Sequence, residues 1–263
     1  MLKQRVITAV ILLFLLLAIL FKLPETGWMI AVGMLVMQGS WEWLKLAKIR
    51  GAAIGVYLLL TLVLFLLVQQ KMVPPLVVYG ASAIFWIVWV PGWLFAGWKT
   101  SNPWLMAVVG WLVLLPTGMA MLDLRAETPQ PWWLLGVMAL VWMADISAYF
   151  AGRKFGKSKL APSISPGKTW EGVAGAMLGV LVYVAVVLVI SGLKMHYIWF
   201  VYAAIGVALS VIGDLFESAI KRQAGVKDSG SLLPGHGGLL DRIDALTSTL
   251  PLAALALILM KVA

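Results

Sequence analysis

The sequence is poor in charged side chains and has no thiols. It contains no cysteine, and Asp, Glu, Lys and Arg make up only 12% of its 263 residues, against about 25% in soluble domains. Without cysteine there are no disulfides and no thiolate metal sites. Hydrophobic residues reach 62%, and the mean hydropathy is +0.99. A soluble fold of this size does not bury so much apolar surface, so we expect lipid as the solvent. This excludes a cytosolic enzyme, a secreted disulfide scaffold and a disordered tail protein.

Long apolar runs predict an all-α, polytopic membrane protein with about nine transmembrane helices. A span needs about 20 mostly apolar residues to cross a hydrocarbon core of about 30 Å. The candidate segments are 6–21, 28–47, 52–70, 75–97, 104–122, 132–151, 172–191, 197–215 and 240–262. Pro91 and Pro116 interrupt the fourth and fifth segments, and we expect them to kink these helices rather than end them.

Charge distribution predicts both the orientation and the division of the chain. With the N-terminus inside, 15 of the 20 Lys and Arg residues fall in inner segments, which favours an N-in, C-out topology. Seven of the 11 acidic residues lie from Asp145 onward. We therefore expect residues 1–131 to form a membrane scaffold of about five helices. Residues 132–263 are expected to form the catalytic membrane region, with inner-face loops at about 152–171 and 216–240.

The second inner loop carries carboxylates at both of its ends. On a helix, four side chains fall at i, i+3, i+4 and i+7 and share one face: Asp214, Glu217, Ser218 and Lys221. Asp241 and Asp244 share a face of the next helix in the same way. Carboxylate oxygens at two converging helix ends suit hard cations, above all Mg²⁺. The alternative is ion pairing, of Glu217 with Lys221 or of Asp241 with Arg242.

A glycine-rich stretch, Pro234-Gly-His-Gly-Gly238, lies between these carboxylates. Glycines let the backbone approach a ligand and point N–H groups at an anion, although a flexible loop is the alternative. His236 is expected to donate to a phosphate or to act as an acid. Cationic donors for phosphate are supplied by Lys221, Arg222, Lys227 and Arg242. The alternative for each is that it belongs to the positive charge of the inner face, which orients the protein in the membrane.

The first inner loop follows a carboxylate within an apolar segment. An unpaired Asp145 in the sixth segment is expensive, so it should face a cavity or a metal, or else pair with a nearby Lys or Arg. Tyr149 lies one turn further on, either at the site or as an interfacial aromatic. A hydroxyl and ammonium cluster suited to phosphate, or alternatively a solvated basic loop, consists of Ser163, Ser165, Lys168 and Thr169.

Two sets of residues resemble the phosphatidate cytidylyltransferases, also called CDP-diacylglycerol synthases. The first set is Ser218-x-Ile220-Lys221-Arg222, then Lys227-Asp228, then Pro234-x-His236-Gly237-Gly238-x-x-Asp241-Arg242-x-Asp244. The second is Asp145, Tyr149 and Gly152-Arg153 with Ser165-Pro166-x-Lys168-Thr169-x-Glu171-Gly172. The resemblance covers residues 145–251 in motif and the whole chain in span layout. It implies that CTP and phosphatidate react, with Mg²⁺, to give CDP-diacylglycerol and pyrophosphate.

The resemblance also implies roles for individual residues. Candidate metal ligands, for one or two Mg²⁺ ions, are Asp214, Asp241, Asp244 and Glu217, with Asp145 as a further candidate. Candidate phosphate clamps are Lys168, Lys221, Arg222, Lys227 and Arg242. Ser218, Ser165 and His236 would orient oxygens. Tyr149, Thr169, Asp228, Gly237 and Gly238 complete the expected substrate site.

Two other functions stay open at this point. A CTP-dependent polyprenol or phytol kinase would use the same nucleotide but transfer the γ-phosphoryl group, and a lipid or anion transporter would use the charges as a pathway. We expect a bacterial inner-membrane location, with the site on the cytoplasmic face and phosphatidate, CTP and the bilayer as partners. No nucleic-acid partner is expected. A homodimer is compatible with so apolar a chain, but no interface residue is predicted.

Overall fold

Nine helices and one short hairpin make up the computed structural model over the residues that it describes, 2–127, 131–232 and 237–262. The helices are α1 (Leu2–Lys22), α2 (Glu25–Leu46), α3 (Ala52–Gln69), α4 (Pro75–Ala96), α5 (Pro103–Ala126), α6 (Trp132–Phe155), α7 (Trp170–Ser191), α8 (Tyr197–Ala224) and α9 (Leu240–Val262). Strand β1 (Lys159–Ala161) pairs antiparallel with β2 (Ser165–Thr169). The all-α prediction is confirmed, and the hairpin is an addition within the first predicted loop.

Seven helices, α3 to α9, are long and apolar enough to cross a membrane. The chain is therefore a polytopic membrane protein. Helix α2 carries Glu25, Glu42 and Lys45 and is not among the seven, and the described apolar part of α1 is the short stretch Leu13–Lys22. The count of nine spans and the N-in, C-out orientation stay predictions.

Helix α5 is the central helix, with 72% of its apolar window buried, whereas α3 and α7 bury only 17% of theirs. Trp43 of α2 and Tyr57 of α3 both dock on α5. The Trp43 indole donates to the Met106 carbonyl over 2.6 Å, and the Tyr57 hydroxyl donates to the Ala107 carbonyl over 2.9 Å. Gly110 permits this approach, since a Cβ there would lie 2.8 Å from the Tyr57 hydroxyl. Two polar groups thus lock an otherwise apolar contact.

Pro91 and Pro116 lie inside helices and do not end them. In α4 a π-helical segment, Phe85–Trp89, precedes Pro91. A π turn of this kind absorbs the helix hydrogen bond that proline cannot donate. Pro116 lies inside α5, and the Thr117 hydroxyl next to it donates to the Val113 carbonyl over 2.6 Å. The prediction that both segments continue through their prolines is confirmed.

Helices α6 and α7 pack at very short range through glycines. A Cβ on Gly175 would overlap Ala151, and one on Gly179 would lie 2.6 Å from the Ser147 Cβ. Small residues allow backbones to approach in this way, which is the common packing mode of helices in lipid. This tight pair forms one wall of the cavity described below.

We predict that Gly179→Val lowers the thermal midpoint of unfolding in detergent by several degrees. Overpacking a close helix contact costs about 1–3 kcal/mol, and the new side chain would meet Ser147. Gly55→Val on α3 is the matched control, because a Cβ there meets nothing within 4 Å. Equal midpoints for the two variants would contradict the packing described here.

Candidate active site

A cavity of about 420 Å³ lies where α6, the hairpin, α7 and α8 meet. Its polar lining consists of Asp145, Tyr149 and Arg153 from α6, Lys168 and Thr169 from β2, and Ser210 and Asp214 from α8. Six of these seven residues, all but Ser210, belong to the candidates and motifs that the sequence indicated. The fold therefore gathers residues from the first predicted loop, from the apolar sixth segment and from the end of the eighth segment into one pocket.

In the cavity, the cationic side chain of Lys168 lies near the carboxylates of Asp214 and Asp145. The Lys168 ammonium lies 2.5 Å from Asp214 Oδ2, and both side chains are partly exposed, at 25% and 29%. Asp145 interacts electrostatically with both Lys168 and Asp214. On the other side of Asp214, the Ser218 hydroxyl donates to Oδ1 over 3.3 Å, as expected from their positions one turn apart on α8. The ammonium is thus accessible from the cavity and held by a carboxylate that a ligand can displace.

The hairpin places Lys168, in β2, beside Asp214. Thr169 pairs with Lys159 in the hairpin and is also the N-cap of α7, where its hydroxyl accepts from the Gly172 N–H over 3.1 Å. Gly152 on α6 faces this cap, since a Cβ there would lie 3.1 Å from the Thr169 hydroxyl. In this structure the Thr169 side chain therefore closes a helix end, and its role toward substrate stays a prediction.

A second cluster joins α8 to α9. The Lys221 ammonium lies 3.1 Å from Glu217 Oε1 and 2.6 Å from Asp241 Oδ1. All three side chains are nearly buried, at 10%, 6% and 6% exposure. The ion pair between Glu217 and Lys221, which the sequence left as an alternative to metal binding, is therefore formed. The expectation that the two acidic helix ends converge is confirmed.

The second oxygen of Asp241 is held by the loop before α9. Asp241 Oδ2 accepts from the Ser229 N–H over 2.9 Å and from the Gly238 N–H over 2.8 Å. Gly237 has a φ of +82°, and a Cβ there would lie 2.6 Å from that oxygen. The glycines bring backbone N–H groups to an anion, as predicted for this sequence pattern, and the anion they reach here is Asp241 itself.

Asp244 connects the two clusters electrostatically. Asp214 and Asp145 repel it and Lys221 attracts it, while its Oδ1 accepts from the Ala245 N–H over 2.8 Å. Within residues 2–127, 131–232 and 237–262, no three potential ligands lie close enough to hold a metal ion. Asp145, Asp214 and Asp244 nevertheless supply the hard oxygen atoms that Mg²⁺ prefers. Asp241 and Glu217 are instead engaged by Lys221.

The remaining candidates lie outside the cavity lining. Arg222, Lys227, Asp228 and Arg242 are exposed, and Ser165 is half-buried at the start of β2. The Arg222 guanidinium donates to the Val226 carbonyl over 3.0 Å. His236 lies outside the described residues. The expected roles of all these residues toward substrate stay predictions.

The sequence analysis did not single out Glu42. This α2 residue is 1% exposed, and its carboxylate accepts hydrogen bonds from Gln38 Nε2, Ser229 Oγ, Leu239 N and Leu240 N. A carboxylate in an apolar segment needs a partner, and this holds for Glu42 as it does for Asp145. It was overlooked because the acids cluster in the second half of the chain.

We predict that Lys221→Met destabilises the protein strongly, because it leaves Glu217 and Asp241 nearly buried without their cation. Breaking one partner of a buried ion pair costs about 3–5 kcal/mol. The measurement is the thermal midpoint in detergent. Lys227→Met is the control, because Lys227 is exposed. A midpoint for Lys221→Met that equals that of Lys227→Met would show that the ion pair contributes little.

Known proteins resemble this chain along its whole length. The profile of the cytidylyltransferase family matches residues 3–260. A phosphatidate cytidylyltransferase of Pseudomonas aeruginosa is 39% identical, covering 97% of this chain and 96% of the relative. Proteins of the same name from Haemophilus influenzae and Bacillus subtilis are 36% and 32% identical, and each comparison covers 95% of this chain. The matched regions cover 96% and 95% of these two relatives. The resemblance carried by the motifs is thereby confirmed, and the chain belongs to the cytidylyltransferase family.

Proposed function

We propose that this protein transfers the cytidylyl group of CTP to phosphatidate, giving CDP-diacylglycerol and pyrophosphate for phospholipid biosynthesis. The relatives carry the name of this activity. The observation that carries the proposal is the cavity, in which Lys168, Asp214 and Asp145 meet at the ends of apolar helices. A polar site there can meet a water-soluble nucleotide and a lipid headgroup at once.

The chemistry asks mainly for charge neutralisation. A phosphatidate oxygen attacks the α-phosphorus of CTP, and pyrophosphate leaves from the opposite side. The nucleophile is already an anion at neutral pH, so no strong general base is required. The difficulty is that two polyanions must meet, and preorganised cations lower this barrier by stabilising the charge that develops in the transition state.

Lys168 is the cavity residue best placed for this role. Its ammonium is partly exposed and bound to a single Asp214 oxygen, so an incoming phosphate oxygen can take the place of that carboxylate. Arg153 lines the same cavity and donates to the Tyr149 hydroxyl over 3.1 Å. Lys221 is nearly enclosed by Glu217 and Asp241, and we therefore assign it to holding α8 against α9.

We infer that Asp214 and Asp244 would hold Mg²⁺, with Asp145 nearby and with phosphate oxygens of CTP and water completing its coordination. Their oxygen donors suit this ion, and the three carboxylates repel one another, so a bound cation would relieve that repulsion. When bound, Mg²⁺ would neutralise charge on the triphosphate. Release of the Lys168 ammonium from Asp214 would free one carboxylate oxygen for it. Glu217 and Asp241 contribute indirectly, through their hold on Lys221.

We place the site on the cytoplasmic face of a bacterial inner membrane. The excess of Lys and Arg in the predicted inner segments supports this orientation, and CTP is a cytoplasmic nucleotide. The homodimer expected from the sequence stays a prediction.

The product of the reaction tests this function directly. Purified protein is given Mg²⁺, phosphatidate and CTP labelled at the α-phosphorus. We expect the label in a chloroform-soluble lipid, with one pyrophosphate released per lipid formed. Label left in water-soluble CDP would contradict the proposal and indicate a CTP-dependent lipid kinase. Folded protein that produces neither product would favour a transporter.

Variants of the cavity residues test the assignment of roles. We predict that Asp214→Asn and Lys168→Met each lower kcat by about 10²-fold or more, as removal of a transition-state contact does elsewhere. Lys194→Met is the control, because Lys194 is exposed and far from the cavity lining. Turnover by either cavity variant at the level of Lys194→Met would remove that residue from the mechanism.

A further inference from the structure

Glu42 lies in the part of the chain predicted to be scaffold, yet it contacts the segment that holds Asp241. Its side chain is 1% exposed. Oε1 accepts from Gln38 Nε2 over 3.1 Å and from the Leu239 N–H over 2.9 Å. Oε2 accepts from the Ser229 hydroxyl over 2.9 Å and from the Leu240 N–H over 3.0 Å. Both carboxylate oxygens are therefore fully used by neutral donors.

Three of these four donors lie in the segment from residue 229 to residue 240, on both sides of residues 233–236. Ser229 precedes that stretch, and Leu239 and Leu240 follow it at the start of α9. A carboxylate at the first N–H groups of a helix satisfies donors that have no partner within the helix and favours the helix dipole. Glu42 thus ties the beginning of α9 to Ser229, which lies on the other side of residues 233–236.

Ser229 links Glu42 to the charged cluster. Its hydroxyl lies 2.9 Å from Glu42 Oε2 and 3.0 Å from Asp241 Oδ2, and its backbone N–H donates to the same Asp241 oxygen. The other Asp241 oxygen binds Lys221 over 2.6 Å. A continuous path of hydrogen bonds therefore runs from α2 through Ser229 and Asp241 to Lys221 on α8.

The backbone around Glu42 leaves no room for an alternative arrangement. A Cβ on Gly230 would lie 2.9 Å from Glu42 Oε1, and one on Gly238 would overlap both Glu42 and Ser229. The backbone at Gly230 and Gly238 therefore packs directly against the Glu42 carboxylate, with no room for a Cβ at either glycine.

We infer that Glu42 is a positioning residue of this enzyme: by holding both ends of segment 229–240 it sets the position of Asp241 and, through it, of Lys221 and α8. The inference rests on the proposed function for its catalytic consequence. The clamp itself is a property of the folded chain, so it can be measured without turnover.

The first test replaces the carboxylate by an amide of the same shape. Glu42→Gln keeps one acceptor oxygen and introduces one N–H₂ donor. Whichever way the amide turns, the N–H of either Leu239 or Leu240 then faces a donor. We expect hydrogen–deuterium exchange to accelerate at least tenfold in peptides covering 226–232 and 237–244. Peptides from the α6–α7 pair should exchange at the wild-type rate.

The same variant is then assayed by the product measurement described above. Loss of positioning should lower kcat about 10- to 100-fold, the usual cost of removing a partner that orients an active-site group. KM for CTP and for phosphatidate should stay within about twofold of wild type. Glu42→Asp, which restores a carboxylate on a shorter side chain, should recover part of kcat. A residue needed only for folding would lower the yield of active protein and leave its kcat unchanged.

Glu25→Gln is the matched control, because it makes the same chemical change at an exposed position of the same helix. It should leave the exchange rates and kcat at the wild-type level. If Glu42→Gln folds and shows wild-type exchange in 226–244, or wild-type kcat, the inference is wrong.

Ser229→Ala decides the question if Glu42→Gln does not fold. It removes the hydroxyl between Glu42 and Asp241 but keeps the backbone bond to Asp241. We expect faster exchange in 237–244 and a severalfold lower kcat, and wild-type values for both would overturn the inference. Failure of the proposed function is distinguishable from these outcomes, since wild-type protein would then form no lipid product while the exchange differences remained.

Discussion

The ammonium of Lys221, held between Glu217 and Asp241, is the interaction on which the arrangement of the site depends. It joins α8 to α9 in surroundings where each of the three side chains is at most 10% exposed. Charges taken out of water are stabilised only when their partners are close and their hydrogen bonds are filled. Asp241 meets that condition because Ser229 and Gly238 occupy its second oxygen. The helix ends that carry Asp214 and Asp244 are thereby brought within electrostatic reach of each other.

Apolar packing supplies the frame that holds these charges. Helix α5 is buried at the centre, and Trp43 and Tyr57 anchor α2 and α3 to its backbone. Phe216, beside Glu217 on α8, packs against the aromatic rings of Trp43, Trp86 and Trp93. Because α2 is fixed in this way, Glu42 can act on a loop almost 200 residues away in sequence. The first half of the chain therefore does more than provide lipid contact.

The site contains two kinds of charged residue, accessible and enclosed, and their roles differ. Lys168 and Asp214 are partly exposed to a cavity that can admit phosphate groups. Lys221, Asp241 and Glu42 are nearly buried, and protein donors or acceptors occupy their charged atoms. Accessible charges of the first kind can exchange partners with a ligand at little cost. Enclosed charges of the second kind keep the geometry constant while that exchange takes place.

Local patterns in the sequence were sufficient for the helices and for much of the site. Apolar runs of about 20 residues predicted the membrane helices, because in lipid a helix satisfies its own backbone hydrogen bonds. The spacing of Asp214, Ser218 and Lys221 predicted one shared helix face, since 3.6 residues per turn governs side chains that are close in sequence. The motifs of both loops identified the family. The hairpin escaped notice because its strands are only three and five residues long.

Such patterns could not predict which residues of distant segments contact each other. The sequence offered Asp241 a metal ion or Arg242 as its partner, whereas packing of α8 against α9 places Lys221 beside it. It offered Asp214, Asp241 and Asp244 as the first candidate metal ligands, with Asp145 and Glu217 next. The fold instead encloses Glu217 and Asp241 and leaves Asp214 facing a cavity. Glu42 lies in an apolar helix, and its neighbours in sequence, Gln38 among them, do not show that it reaches a loop almost 200 residues away. Helical periodicity orients a side chain on its own helix. Only contacts between helices, set by close packing and by the need to satisfy every buried polar atom, determine what that side chain meets.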